Sequence, residues 1–332
     1  MKEEDIRPKK VFDEYLSLAR SDAEIYFGKS TLQPVVCPGC GNEKGIFKFR
    51  KMGFDYEECP VCGTLYNNPR PVLQSFSDYY SDSPSVRFWA TNFYKETEQS
   101  RRELLIKPKA KLCLEILQKY YDGSQSNPAI VDIGAGYGVF CEEFKKILPK
   151  SYEMIGIEPA KALISVCRDK QIPVIPKFFE DVTVEDFGNH NVVCAVSFEL
   201  IEHLHSPELF IQKCSEIIPK NGLLILTTLT WDGFDLKVLA DKSDSIHPPH
   251  HINFFTKKSI KILLENYGFS ICEITTPGKL DVDIVSKKSS AIKDSFVSEL
   301  ISCDNEIKEM FQKFLQDARL SSHMMVVAKK IE

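Results

Sequence analysis

The segment Val131-Asp132-Ile133-Gly134-Ala135-Gly136-Tyr137-Gly138, followed further on by Gly156-Ile157-Glu158-Pro159, constrains the fold more than any other stretch. The apolar run Ala129 to Ile133 reads as a buried parallel strand. It breaks into three alternating glycines and then a helix from about Val139 to Leu148. Glycine is needed there because the backbone must turn tightly and let a ligand approach with no Cβ in the way. A second apolar run, Met154 to Ile157, ends in Glu158, where a carboxylate can accept both hydroxyls of a ribose. The two together read as a nucleoside-binding βαβ unit.

The glycine spacing selects the ligand. A dinucleotide loop is G-x-G-x-x-G with a helix N-terminus aimed at a pyrophosphate. Here the spacing is G-x-G-x-G, and Asp132 stands at the strand end. A carboxylate at that point repels a pyrophosphate and suits a ligand carrying an amino group and a sulfonium. The segment resembles motif I of the class I S-adenosylmethionine-dependent methyltransferases, and Glu158 sits where that family places its ribose-binding acid. The expected donor cradle is Asp132, Gly134, Gly136, Gly138 and Glu158.

Downstream, strands and helices alternate in the pattern of an α/β, doubly wound, Rossmann-like sheet of seven strands. Strands are expected near 129–134, 152–158, 173–176, 191–198, 222–229, 269–275 and 323–330, and helices at 137–148, 160–170, 207–217 and 256–267. The turn-rich run Asp122 to Pro128 marks the clearest boundary. It divides the chain into an N-terminal helical segment (1–32), a cysteine ribbon (33–71), a helical linker or cap (72–125) and a methyltransferase unit (126–332). That last unit is expected to bind donor by itself. Its helical insertion, about 286–320, reads as a cover on the core or a subunit surface.

Two C-P-x-C-G knuckles, Cys37-Pro38-Gly39-Cys40-Gly41 and Cys59-Pro60-Val61-Cys62-Gly63, account for four of the eleven cysteines. Each tight turn points two thiolates at one place. Cys37, Cys40, Cys59 and Cys62 therefore match a closed tetrahedral zinc site, structural in kind, which replaces the core that so short a segment cannot build. The other seven cysteines lie in apolar segments and read as reduced core residues. With no apolar run near the ~20 residues of a membrane span and no signal peptide visible behind the charged start Met1-Lys2-Glu3-Glu4-Asp5, a cytoplasmic protein is expected. The net charge of −5 sets up no field to gather polyanions, which weighs against a nucleic-acid partner.

Methyl transfer requires donor and acceptor in near-attack geometry and removal of the acceptor's proton. Residues serving either requirement belong at the C-terminal ends of the strands. After the third strand, Phe179 and Glu180 are placed to frame an adenine, with Asp181 and Asp186 competing for the acidic role. After the fourth comes Glu199-Leu200-Ile201-Glu202-His203-Leu204, which closely resembles the E-x-I-E-H-L signature of the ubiquinone-biosynthesis-like branch of the family. The resemblance puts Phe198 and Glu199 beside the donor, and Glu202 and His203 toward the acceptor. After the fifth strand lies His247-Pro248-Pro249-His250-His251-Ile252-Asn253-Phe254-Phe255-Thr256, similar to the H-x-N-x-F-[ST] segment of the same enzymes. Its prolines exclude a helix, and no neighbouring cysteine or carboxylate spacing suggests a second metal. His203, His250 and His251 are the candidate bases, because imidazole titrates near neutrality.

The order of these segments resembles bacterial zinc-ribbon methyltransferases of sugar, surface-glycan and secondary-metabolite pathways. This implies S-adenosylmethionine as donor and a small-molecule or carbohydrate acceptor, with oligomerisation open. Two alternatives stand beside it. One is an RNA or protein methyltransferase in which Lys44, Lys48, Arg50 and Lys51, beside Phe47, Phe49 and Phe54, grip a macromolecule. The other is a non-catalytic nucleoside-binding scaffold.

Overall fold

The computed structural model describes residues 2–123 and 125–331. Helix α1 (Lys9–Phe27) buries Val11, Tyr15, Leu16, Ala19, Ala23 and Phe27 along one face. The ribbon follows as β1 (Leu32–Gln33), β2 (Ile46–Lys51), β3 (Phe54–Glu58), β4 (Leu65–Asn67) and β5 (Arg70–Pro71). Between ribbon and glycine loop the chain is helical: α2 (Leu73–Asp82), α3 (Pro84–Phe88), α4 (Tyr94–Arg101) and α5 (Lys107–Tyr120). Wider π-type turns at Trp89–Phe93 and Arg102–Ile106 interrupt this run.

The remainder alternates as expected: β6 (Pro128–Ile133), α6 (Val139–Lys145), β7 (Glu153–Ile157), α7 (Lys161–Asp169), β8 (Val174–Ile175), β9 (Asn191–Phe198), α8 (Pro207–Ile217) and β10 (Leu223–Leu229). Then come α9 (Phe234–Leu239), β11 (Asn253–Phe254), α10 (Lys257–Glu265), β12 (Phe269–Thr275), α11 (Asp281–Lys287), α12 (Ser295–Ser302), α13 (Asn305–Asp317) and β13 (His323–Lys330). The large sheet runs β12-β13-β10-β9-β6-β7-β8. Its strands pair in parallel from β8 to β10, while β13 is antiparallel to both β10 and β12.

Period-two burial gives the sheet two apolar faces. Ala129, Val131 and Ile133 pack toward Phe210, Ile211 and Cys214 of α8 and Ile260 and Leu264 of α10. Ile130, on the opposite face, packs with Phe140, Cys141 and Phe144 of α6 and with Ala110, Cys113, Ile116 and Leu117 of α5. The helix before the run 122–128 thus covers strands that follow it.

The ribbon is joined to that body as well. Its sheet has four strands in the order β11-β4-β3-β2, so the last partner of the ribbon comes from the histidine segment beyond β10. Tyr66 lies opposite Asn253 and Leu65 opposite Phe254. A shared core of Phe27, Phe54, Tyr56, Leu65, Phe76 and Tyr79 with Trp231, Leu236, Ile246, Ile252 and Phe254 fills the junction.

A fragment beginning at residue 126 strips α5 from its face of the sheet and β4 from β11. The exposed apolar area predicts aggregation instead of an autonomous donor-binding unit. Limited proteolysis and size-exclusion chromatography of 126–332 against the full chain check this. A soluble, monomeric fragment that binds S-adenosylhomocysteine contradicts it.

Candidate functional site

At the C-terminal end of β6 the backbone takes positive φ at Gly134 (79°), Gly136 (54°) and Gly138 (65°). A Cβ on Gly138 meets Ile172 Cδ1 at 2.6 Å and Cys167 Sγ at 3.0 Å, whereas one on Gly136 meets nothing within 4 Å. Gly138 therefore serves packing, and Gly136 leaves open volume for a ligand. Glu158 is buried at the end of β7, accepting from the Gly136 N–H and the Ala160 N–H at 2.9 Å each. Burial raises its pKa, opposed by those two N–H groups. Asp132 is 4% exposed, and burial pushes it up to about 7 against the Cys141 thiol at 3.4 Å and the charge of Lys109. An ammonium placed beside Asp132 would favour its ionised form.

Tyr94 stacks on Tyr137 at 4.2 Å, so the helix before α5 roofs the glycine loop. Phe198 packs edge-on to Phe140 at 4.7 Å, with Lys109 Nζ 4.3 Å from its ring centre. The assignment after the third strand reads differently in three dimensions. Phe179 is buried in the core against Phe210, and Glu180 is exposed. Phe178 is the aromatic left on the surface there, at 64% exposure.

The loop after β9 carries two glutamates in opposite states. Glu199, at φ +51°, accepts from Thr227 Oγ1 and His323 Nε2, both at 2.6 Å. Burial alone raises its pKa, but the charge and hydrogen bond of His323, with Lys109 and Thr227, hold it well below the usual carboxylate range. Glu202 is fully buried and accepts from Thr228 Oγ1 at 2.8 Å. Its Oε1 has no partner among the described residues. Burial, then the charge of Glu199, drives its pKa well above the ordinary value. Environment pushes the two carboxyls in opposite directions.

The histidines separate by what their nitrogens touch. His203 Nδ1 lies 2.9 Å from the His250 carbonyl and His251 Nδ1 2.6 Å from the Ser245 carbonyl. A carbonyl can only accept, so both rings carry the proton on Nδ1 and keep the Nε2 lone pair. The two rings are 4.8 Å apart. His250 instead sets Nε2 2.6 Å from the Tyr79 hydroxyl, among Tyr15, Tyr79 and Tyr80. Burial lowers the pKa of His203, His250 and His251, so all three rings are neutral near pH 7.

One ligand atom from each of Glu202, His203 and His251 lies within 4.8 Å of the other two. The sequence suggested no second metal-ligand set. These residues come from two loops far apart in the chain, so no local spacing announces them. His323 was likewise missed as a partner of Glu199, because antiparallel β13 delivers it opposite Leu229, two residues beyond Thr227.

The four knuckle cysteines converge as expected. Their sulfurs lie within 4.8 Å of one another, with Cys37 to Cys62 at 3.4 Å and Cys40 to Cys59 at 3.6 Å. Zn–S bonds of about 2.3 Å in a tetrahedron put sulfurs somewhat under 4 Å apart, so the cluster is compatible with zinc. The same backbone turn recurs in both knuckles, Gly41 N–H to the Cys37 carbonyl and Gly63 N–H to the Cys59 carbonyl, each 2.8 Å.

Residues 100–274 match the family described as "Methyltransferase domain", which is more than half of the chain, and the protein belongs to that family. The ubiquinone biosynthesis O-methyltransferase of Bradyrhizobium diazoefficiens is 26% identical over 117 residues, covering 33% of this chain and 44% of that protein. The mitochondrial enzyme of the same name from Rattus norvegicus is 28% identical over 111 residues, covering 31% of each. The chain thus spans less than half the length of these relatives. Among solved structures, an S-adenosylmethionine-dependent methyltransferase from Clostridium acetobutylicum aligns with a TM-score of 0.46 at 8% identity, covering 73% of this chain and all of that one. One from Archaeoglobus fulgidus aligns at 0.43 and 16%, covering 68% and 94%.

Gly138→Ala combines a left-handed backbone with a contact that Ile172 must yield to. It is expected to cost about 1–2 kcal/mol for the conformation alone, read as a lower thermal midpoint. An unchanged midpoint refutes the packing role given to this glycine.

Proposed function

We propose that this protein transfers the methyl group of S-adenosylmethionine to a small-molecule acceptor, with the neutral imidazole of His203 or His251 taking the acceptor's proton. The observation that carries this reading is the pair of part-buried, Nδ1-protonated rings, each with a ligand atom within 4.8 Å of one from buried Glu202. Asp132 and Glu158 are suited to the amino group and ribose of the donor, and Gly136 to its close approach. The donor, when bound, supplies an electrophilic methyl group on a sulfonium.

The chain's own part is positional and electrostatic. Burial keeps both imidazoles deprotonated at Nε2, ready to accept the proton that an O–H or N–H acceptor loses as the new bond forms. The name of the relatives favours a hydroxyl acceptor. The ribbon resemblance favours a sugar or nucleotide sugar as its narrower form. Zinc at Cys37, Cys40, Cys59 and Cys62 is assigned a structural role, because four thiolates leave no open position.

The ribbon is a poor platform for nucleic acid. Lys48 pairs with Glu58 at 3.1 Å and Arg50 with Asp55 at 3.6 Å. Lys51 Nζ donates to the Ser243 carbonyl at 2.5 Å. Phe54 is buried, and Phe49 packs on Tyr56. Of the three aromatics, Phe47 alone is largely exposed, at 60%. One observation favours a second reading of the chemistry. A carboxylate oxygen of Glu202 and one ring nitrogen each of His203 and His251 offer a divalent cation one oxygen and two nitrogens. Such a cation would orient the acceptor and lower its pKa in place of a free base.

Calorimetry tests the donor site first. Glu158→Ala removes hydrogen bonds worth roughly 1.5–3 kcal/mol and should weaken S-adenosylhomocysteine by tenfold or more. Unchanged affinity removes Glu158 from the site.

An acceptor screen with catechols and nucleotide sugars then tests the base. His203→Ala or His251→Ala should lower turnover by roughly 10²–10⁴-fold with donor affinity retained. Because the folded pKa values lie below the ordinary 6.5, the imidazoles stay neutral as pH falls to that value. Turnover should therefore hold through pH 6.5 and decline only below it. Full activity after exhaustive chelation agrees with the base, whereas activity restored by added Mg²⁺ or Mn²⁺ supports the cation.

A further inference from the structure

The cysteine ribbon reaches the acceptor side of the site through specific hydrogen bonds, not packing alone. Arg70, on β5, is among the largest fully buried side chains, at 2% exposure. One terminal nitrogen donates to the His205 carbonyl, on the loop after β9. The other donates to Asn253 Oδ1 at 2.6 Å, on the loop after β10. Asn253 returns its own N–H to the Leu204 carbonyl at 2.8 Å, closing the link between the loops. The Arg70 Nε has no partner among the described residues.

Other ribbon groups act on the same two loops. Tyr56 Oη donates to the His251 carbonyl at 2.6 Å. The Asn67 N–H donates to the Ile252 carbonyl at 2.9 Å, while the Ile252 N–H donates to the Glu202 carbonyl at 3.0 Å. Thr256 Oγ1 donates to the carbonyl of Cys62, a knuckle cysteine, at 2.7 Å.

This is an expensive way to fill a core. Burying a guanidinium costs several kcal/mol in desolvation, which a methionine or leucine of similar size avoids. What the arginine supplies, and an apolar residue cannot, is two donors fixed in one plane, one for each loop. The loops carry the two imidazoles from different strand ends, and reactive groups must be held to within about half an ångström.

We propose that Arg70 is a positioning residue for methyl transfer, its guanidinium clamping the loop that bears Glu202 and His203 to the loop that bears His251. The inference rests on the methyl-transfer reading of that site. It makes the ribbon a structural arm of the acceptor site, with the cysteine cluster as the rigid base from which Arg70, Tyr56 and Cys62 reach the loops.

The test uses the full zinc-loaded chain with ¹⁵N-labelled histidine, saturated with S-adenosylhomocysteine, and reads the imidazole ring signals. Arg70→Met keeps volume and removes both donors. The expected result is displaced or exchange-broadened ring signals for His203 and His251, with zinc content and S-adenosylhomocysteine affinity as in the wild type. Arg70→Lys, which can reach one carbonyl but not both acceptors, should restore them in part. Unmoved ring signals in Arg70→Met overturn the proposal. So does a parallel loss of zinc and ligand affinity, which marks a folding role only. Should Arg70→Met not fold, Tyr56→Phe removes one hydroxyl from the His251 carbonyl and should displace the His251 signal; an unmoved signal there also counts against the clamp. Failure of the wild type to bind S-adenosylhomocysteine defeats the methyl-transfer reading instead, and the ring signals tell the two failures apart.

Discussion

The pairing of β4 with β11 is the contact on which the rest of the arrangement depends. It is only two residues long, yet it makes one sheet of a cysteine ribbon and a loop that begins after the fifth strand of another sheet. Without it the segment from His247 to Thr256 is an irregular, proline-containing loop with buried backbone groups to satisfy. With it, the backbone of Ile252 bonds to Asn67 on one side and Glu202 on the other. The ribbon in turn cannot stand on a core of its own, since Leu65 and Phe54 are covered by Ile252, Phe254 and Trp231. Each part supplies the other with what its size denies it.

Burial then sets the chemistry. The same low-dielectric pocket that raises Glu202 lowers His203 and His251, so acid and bases all favour their neutral forms. Glu199 escapes this by pairing with His323 and Thr227. The local result is one fixed negative charge, held by partners, beside a cluster of neutral groups. Neutral imidazoles can lie with ring centres 4.8 Å apart where imidazolium ions would repel. Their Nδ1 protons are committed to carbonyls, which orients the rings and leaves one nitrogen lone pair on each.

Much of this was legible in the sequence, and the boundary of legibility has a physical cause. Strands β9, β12 and β13 span the residues expected of them; β9 and β13 are largely buried and written as near-continuous apolar runs, whereas β12, at the sheet edge, mixes apolar and polar residues. The glycine loop and the four cysteines were legible because their function requires particular residues at short, fixed spacing. Two-residue β11 has no such signature: Asn253-Phe254 becomes a strand only because Leu65 and Tyr66 are there to pair with it. The reversed direction of β13 depends on how the chain returns through α11 to α13, which no local pattern states. Phe179 illustrates the same limit in a site residue. Phe178 and Phe179 are indistinguishable as letters, and tertiary packing against Phe210 decides which of them is core.

Arg70 shows where sequence reasoning and structure diverge most usefully. In N-N-P-R-P it looks like a charged residue ending a ribbon beside two prolines, a place where solvent exposure is the ordinary outcome. The structure buries it completely and gives each terminal nitrogen an acceptor on a different loop. A buried, paired guanidinium contributes little net stability over an apolar replacement, so its presence is better explained by geometric specification than by strength. The two loops hang from adjacent parallel strands, and the Ile252 N–H to Glu202 carbonyl bond ties their backbones at one point. A planar double donor fixes their separation and their angle at once, and Asn253 returns a bond in the reverse direction. The relative placement of His203 and His251 is therefore a property of the ribbon as much as of the sheet from which both loops spring.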